Sequence, residues 1–208
     1  MSEKKYSERL SADNAVFAFV DHQTGLLVNC RDQEPMVMKN NIMGLCELTK
    51  TCSIPSVITA SMATGPNGPV MPEIRNILSD APYIDRAGEI NAWDCAEFKA
   101  AIEATGRKKL VISGIVTDVC VMFPALSAVA EGYDVYAVID ASGTWNDQVL
   151  QASMHRMSQA GIKVSTWASV LAEIMHDWRS EKGMELGGIL ANHLSYGWVY
   201  SSYMAQQA

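Results

Sequence analysis

The chain has 208 residues, about half of them apolar, and a formal net charge of −7. That length suits one domain, or one domain with an arm. The acidic balance argues against nucleic acid or an anionic membrane surface as a partner, and no apolar run is long enough to span a bilayer.

The polar opening "MSEKKYSERL" has no apolar core of the signal-peptide kind. Five cysteines, odd in number and scattered, show neither disulfide nor zinc-ligand spacing. Both features point to a reducing, cytoplasmic setting. The first apolar run, "AVFAFVD", ends in Asp21 and reads as a buried strand. A helical pattern follows over Met36 to Cys52, then a strand-like "PSVITAS". The turn-rich "GPNGP" comes next, and "APYIDRAG" holds a short, more exposed strand. Glu97 to Thr105 reads as a helix closed by Gly106. "KLVISGI" is a strand, Asp118 to Ala130 a helix closed by Gly132, "DVYAVID" a strand, Asp147 to Ala160 a helix closed by Gly161, and "KVSTWA" a last strand. Ser169 to Trp178 is helical as well. Near-continuous apolar strands alternating with helices predict a three-layer α/β/α domain with a parallel sheet and right-handed crossovers. Residues 186–208 contain no Asp, Glu, Lys or Arg yet hold Tyr196, Trp198, Tyr200 and Tyr203. They are expected to form an aromatic arm, packed on the domain of residues 1–185 or on a neighbouring subunit.

In open parallel sheets, ligands collect at the carboxyl ends of the strands. There the sequence places Asp21, Arg86 and, in "GIVTDVC", Cys120. Each has a plainer reading alone: a loop-bonding acid, a salt-bridge arginine, a buried small hydrophobe. Together they form a set. A thiol in the first turn of a helix faces unpaired N–H groups and the positive dipole end, which favour thiolate. Asp21 can move its proton, Arg86 can hold both, and backbone N–H groups of Val116 and Cys120 can receive an oxyanion. Thr117 or Asp118 can cap the same helix. His22 should point away by strand alternation, and Asp140, before "ASGTWND", reads as a loop-bonding acid.

These residues resemble the isochorismatase-like cysteine hydrolases. The "D-x-Q" pattern is matched by Asp21, His22 and Gln23, the "G-x-x-T-x-x-C" motif by Gly114, Thr117 and Cys120, and an "Asp-Ala" by Asp140 and Ala141. The similarity runs from about Asn14 to Trp178, and "GPNGP", "INAWD", "FPALSA" and "DASGT" resemble the YcaC-type branch, whose members form octamers of unknown substrate. The resemblance implies an isochorismatase-like, Rossmann-like six-stranded parallel sheet with helices on both faces and a non-proline cis peptide between Ile115 and Val116. It also implies catalytic Asp21, Arg86 and Cys120, an oxyanion hole at Val116 and Cys120, and a small-molecule pocket including Gln23, Asn91 and Trp93. The family's usual cation is lysine; here it is Arg86. Nicotinamidases of the superfamily carry a "D-x-H" metal set after strand two, where this chain reads "ITASMATGPNG", so neither metal nor cofactor is expected.

The leading expectation is hydrolysis of a small amide-type C–N bond by a homo-oligomer, an octamer by family resemblance. The competing readings are isochorismatase-type ether hydrolysis, a catalytically weak oligomeric scaffold, and a thiol-redox protein. The last lacks a resolving cysteine near Cys120, Cys95 being the only one whose loop could approach.

Overall fold

A computed structural model describes residues 8–207; residues 1–7, within the polar opening read above, lie outside the described residues. In chain order the elements are β1 (Ala15–Val20), a short α1 (Thr24–Leu27), α2 (Pro35–Thr51), β2 (Ser56–Ser61), α3 (Pro72–Ile77) and β3 (Tyr83–Arg86). A 3-10 turn (Ala92–Asp94), α4 (Ala96–Glu103), β4 (Lys109–Gly114), a π turn (Thr117–Val121), α5 (Met122–Ala130) and β5 (Asp134–Val138) follow. The chain then forms a second 3-10 turn (Ile139–Ala141), α6 (Asp147–Gln159), β6 (Lys163–Ser165), α7 (Trp167–Met175), α8 (Gly183–His193) and α9 (Tyr196–Gln207).

The six strands form one sheet in the order β3-β2-β1-β4-β5-β6, every neighbouring pair parallel. This is the three-layer α/β/α architecture that the alternating strands and helices predict, with the six parallel strands that the resemblance implies. Strand alternation sends Phe17 and Phe19 to one face, with Ile42, Leu45 and Trp167. It sends Val16, Ala18 and Val20 to the other, with Phe98, Ile102 and Ala125. Both faces are dry, which is why β1 reads as an unbroken apolar run.

Local signals explain most boundaries. The Glu34 carboxylate accepts from the Val37 N–H at 2.8 Å, so α2 starts at Pro35. Gly106, Gly132 and Gly161 all have positive φ, the left-handed ending that glycine accommodates. "KVSTWA" gives only three strand residues because Thr166 leaves the strand to cap α7, its hydroxyl accepting from the Ser169 N–H. The helix expected over Ser169 to Trp178 therefore begins at Trp167, and it ends at Met175 where His176 turns to φ 61°. The helix expected from Asp118 opens instead as the π turn, with α5 following it.

The boundary expected between residues 185 and 186 falls inside α8. Leu186, Ile189 and Leu190 are buried with the main core. α9 is different: none of its residues is buried, and Trp198 is 80% exposed. No described helix is long and apolar enough to cross a membrane.

Candidate active site

The order of strands reverses at β1 and β4, and the site gathers where they end. Gly114 makes this approach possible. A Cβ there would lie 2.2 Å from the Val20 carbonyl oxygen, so the strand ends meet only with a hydrogen in that place. One residue beyond β1, Asp21 adopts φ 54°, a left-handed conformation that aspartate tolerates better than most side chains. Its own N–H donates to the Thr59 carbonyl at 2.9 Å. The peptide joining Ile115 to Val116 is cis.

Arg86 is the last residue of β3, two strands from β1. That is about 10 Å of sheet, a gap for a long side chain. Its Nη2 donates to both Asp21 carboxylate oxygens at 2.6 Å, and its Nε lies 3.4 Å from the Ala60 carbonyl it crosses. Neither side chain of the pair is exposed. The Cys120 thiol lies close enough to the Asp21 carboxylate and to the Val116 N–H for both to act on its charge. Asp21, Arg86, Cys120 and the Val116 amide therefore converge.

The electrostatics differ from the expected resting thiolate. Burial, and then the Asp21 carboxylate beside it, push the Cys120 thiol well above its ordinary value. Burial also raises Asp21, against the pull of Arg86. The helix-end effect is outweighed by burial, because among the amides of the turn only the Val116 N–H favours thiolate at Cys120. The Cys120 N–H donates to the Val116 carbonyl at 2.8 Å, and the N–H groups of Val119 and Val121 converge on the same oxygen. Burial and the Asp21 carboxylate thus favour the thiol over the thiolate at Cys120. Of the two expected oxyanion donors, the Val116 N–H faces the sulfur while the Cys120 N–H is engaged.

The three expected pocket residues all make scaffold contacts. Gln23 is fully buried; its Nε2 donates to the carbonyls of Ser61 and Gly68 and its Oε1 accepts from the Ser61 N–H. It clamps the end of β1 to β2 and to the "GPNGP" loop. Asn91 accepts from the Trp93 N–H and donates to Ser127 and Asp94, capping the 3-10 turn. Trp93 packs edge-on against Phe98 and Tyr133 in the second core. Thr117 and Asp118 do not cap a helix. Thr117 donates through N and Oγ1 to the Gly143 carbonyl, and Asp118 accepts from Thr144 Oγ1 at 2.7 Å. The "DASGT" segment is thus the brace of the Thr117–Val121 turn, a role its turn-rich composition did not disclose. Asp140 accepts from the Trp167 N–H at 2.8 Å, a scaffold bond as expected of a loop acid. His22 points away from the site and bonds the Ala141 carbonyl at 3.1 Å, with burial lowering its ring to about 4.

A cleft of about 470 Å³ flanks the Thr117–Val121 turn, between Asp118, Val119 and Met122 on one side and Gln148, Val149 and Arg156 on the other. Among the described residues no group of three or more His, Cys, Asp or Glu is placed to hold a metal ion.

Comparison with known proteins places the whole arrangement. The family model of the isochorismatase domain matches residues 16–169. The curated protein "Probable hydrolase YcaC" of Escherichia coli K12 is 47% identical over 197 residues, 94% of each chain. A solved Escherichia coli YcaC structure, described as an octameric hydrolase of unknown specificity, superposes with TM-score 0.92 at 47% identity, covering 95% of this chain and 97% of that one. YcaC from Pseudomonas aeruginosa, solved with hexane-2,5-diol and covalent acrylamide, gives TM-score 0.91 at 46% identity, covering 94% and 97%.

Proposed function

The chain belongs to the isochorismatase family, and we propose that it is a hydrolase that cleaves a small amide-type C–N bond with Cys120 as nucleophile. The observation that carries this reading is the Asp21 carboxylate, which stands beside the Cys120 thiol while Arg86 holds it from the other side.

The chemistry follows from a neutral resting thiol. Asp21 takes the Cys120 proton as sulfur attacks the substrate carbonyl carbon, so thiolate exists only as the S–C bond forms. The carbonyl π pair moves to oxygen, and the Val116 N–H donates to it. Collapse breaks the C–N bond, and protonated Asp21 hands its proton to the departing nitrogen. Water then attacks the thioester with Asp21 as base; the S–C bond breaks, the acid leaves, and the thiol is restored. Arg86 stays protonated throughout, and its charge keeps Asp21 in place through both proton transfers. Covalent capture of acrylamide by the Pseudomonas aeruginosa relative supports a reactive nucleophile in proteins of this kind.

The protein acts as a homo-oligomer. The octameric Escherichia coli relative and the exposed aromatic surface of α9 support that state. Its five free thiols suit the cytoplasm.

The test is a screen of small amides for ammonia or amine release, with wild-type protein and Cys120→Ala side by side. Release by wild type alone, with a substrate-derived acyl adduct on Cys120 in intact-mass spectra, is the expected result. Equal release by both proteins would remove the thiol from the reaction and favour the ether-hydrolysis chemistry of isochorismatase itself.

A further inference from the structure

The turn that carries Cys120 has an unusual internal frame. It is a π turn, a wide helical geometry that is rare and recurs at functional sites. The N–H groups of Val119, Cys120 and Val121 share one acceptor, the Val116 carbonyl. A carbonyl oxygen has two lone pairs, so these three bonds do not fix the turn as a regular ladder would.

Its outer support comes from the segment after β5. Thr144 is fully buried. Its N–H donates to Asp32 Oδ1 at 2.8 Å, and its carbonyl accepts from the Arg31 N–H at 2.9 Å. Both partners lie between α1 and α2, so the Thr144 backbone is pinned from outside the turn. Its side chain then reaches the turn: Oγ1 donates to Asp118 Oδ1 at 2.7 Å. A hydroxyl on a carboxylate is among the stronger hydrogen bonds, and Asp118 stands two residues before Cys120.

The thiol is sensitive to where the turn sits. Burial and Asp21 hold it up, while the Val116 N–H and Arg86 act the other way. All of these effects fade with distance or solvation. A turn that relaxes outward returns Cys120 toward an ordinary cysteine and parts it from the base.

We propose that Thr144 is a positioning residue, whose hydroxyl acts through Asp118 to hold the Cys120 turn in register with Asp21. This rests on Cys120 being the nucleophile.

The experiment reads iodoacetamide labelling of Cys120 across a pH series by site-resolved mass spectrometry, beside urea unfolding of each variant. Thr144→Val keeps the shape and removes the hydroxyl. Its Cys120 profile should move to lower pH, with labelling about threefold or more faster at neutral pH, half a pKa unit. Thr144→Ser, which keeps the hydroxyl, should follow wild type. Lower stability with a Cys120 profile that is unchanged, or moved to higher pH, makes the contact structural only and overturns the inference. Failure of the serine to restore the profile does the same. Asp118→Ala should match Thr144→Val, while Asp118→Asn keeps an acceptor and should follow wild type; this pair decides the matter should Thr144→Val not fold. Equal shifts in both Asp118 variants would assign the effect to the lost charge and overturn the inference. If Cys120→Ala keeps the amide release of wild type, the nucleophile reading falls and this inference with it. A Cys120-dependent reaction with a profile indifferent to Thr144 removes only the inference.

Discussion

Arg86 Nη2 stands 2.6 Å from both carboxylate oxygens of Asp21, with neither side chain exposed to solvent. The pair closes the gap between β3 and β1 above the end of β2. Each charge is tolerable there only because of the other.

Removing one partner should therefore cost more than exchanging it. Arg86→Ala leaves a buried carboxylate alone and should destabilise the fold by about 3–5 kcal/mol; Arg86→Lys should cost less. Burial already raises Asp21, and loss of Arg86 raises it further. A carboxyl whose folded pKa lies above its unfolded value weakens the fold above that folded pKa and does so less as pH falls through it. The Arg86→Ala deficit should shrink on acidification. Urea unfolding at several pH values measures this, and a deficit independent of pH would mean that Asp21 does not carry it.

Asp21→Asn should separate thiol reactivity from turnover. The Asp21 charge and hydrogen bond both hold the Cys120 thiol up. Without them, and with Arg86 unpaired beside the sulfur, the thiolate fraction at neutral pH should rise about tenfold for each pKa unit recovered. Iodoacetamide labelling of Cys120 should accelerate while amide hydrolysis is lost, because no base remains to return the proton. Slower labelling in Asp21→Asn would mean that Asp21 serves as base for alkylation too, and that its charge is not what limits the thiolate.

His22 should make the fold acid-sensitive. Its ring, fully buried behind Asp21, is lowered from 6.5 to about 4. An unfolded histidine binds a proton below 6.5 and the folded one does not until about 4, so stability falls as pH drops through that window. The loss is on the order of 3 kcal/mol when complete. His22→Gln keeps a donor for the Ala141 carbonyl and should flatten the slope. Parallel stability–pH curves for the two proteins would refute this assignment.

Gly114→Ala should disturb the site from below. The new methyl would meet the Val20 carbonyl at 2.2 Å, and backbone cannot yield as a side-chain tip can. A loss of about 3 kcal/mol follows from overpacking, read as a lower unfolding midpoint. Cys120 labelling should also slow, because the ends of β1 and β4 separate.

Deleting residues 194–208 should shift the assembly to smaller species in sedimentation, because α9 has no buried residue within its own chain. α8 should be kept, since its leucines belong to the core. An intact assembly after the deletion would move the interface to the other helices. A full-length protein that sediments as a monomer at micromolar concentration would end the oligomer proposal.

Much of this protein is determined by its sequence alone. Unbroken apolar strands, three helices closed by glycine and the order of the motifs specify a parallel α/β sheet, because burial on both faces leaves strands no other composition. The same motifs single out Asp21, Arg86 and Cys120, since chain order places all three at strand ends. What those residues do to one another was decided by tertiary structure. A helix-start cysteine suggests thiolate, but the turn folds its N–H groups onto the Val116 carbonyl and seats the thiol on a buried acid. Gln23, Asn91 and Trp93 stand in or near the motifs in sequence, but the hydrogen bonds and packing they make come from distant segments. Local patterns fix which face or end a residue occupies. The state of a buried charge depends on long-range partners, and those exist only once β3, β2, β1 and β4 lie side by side.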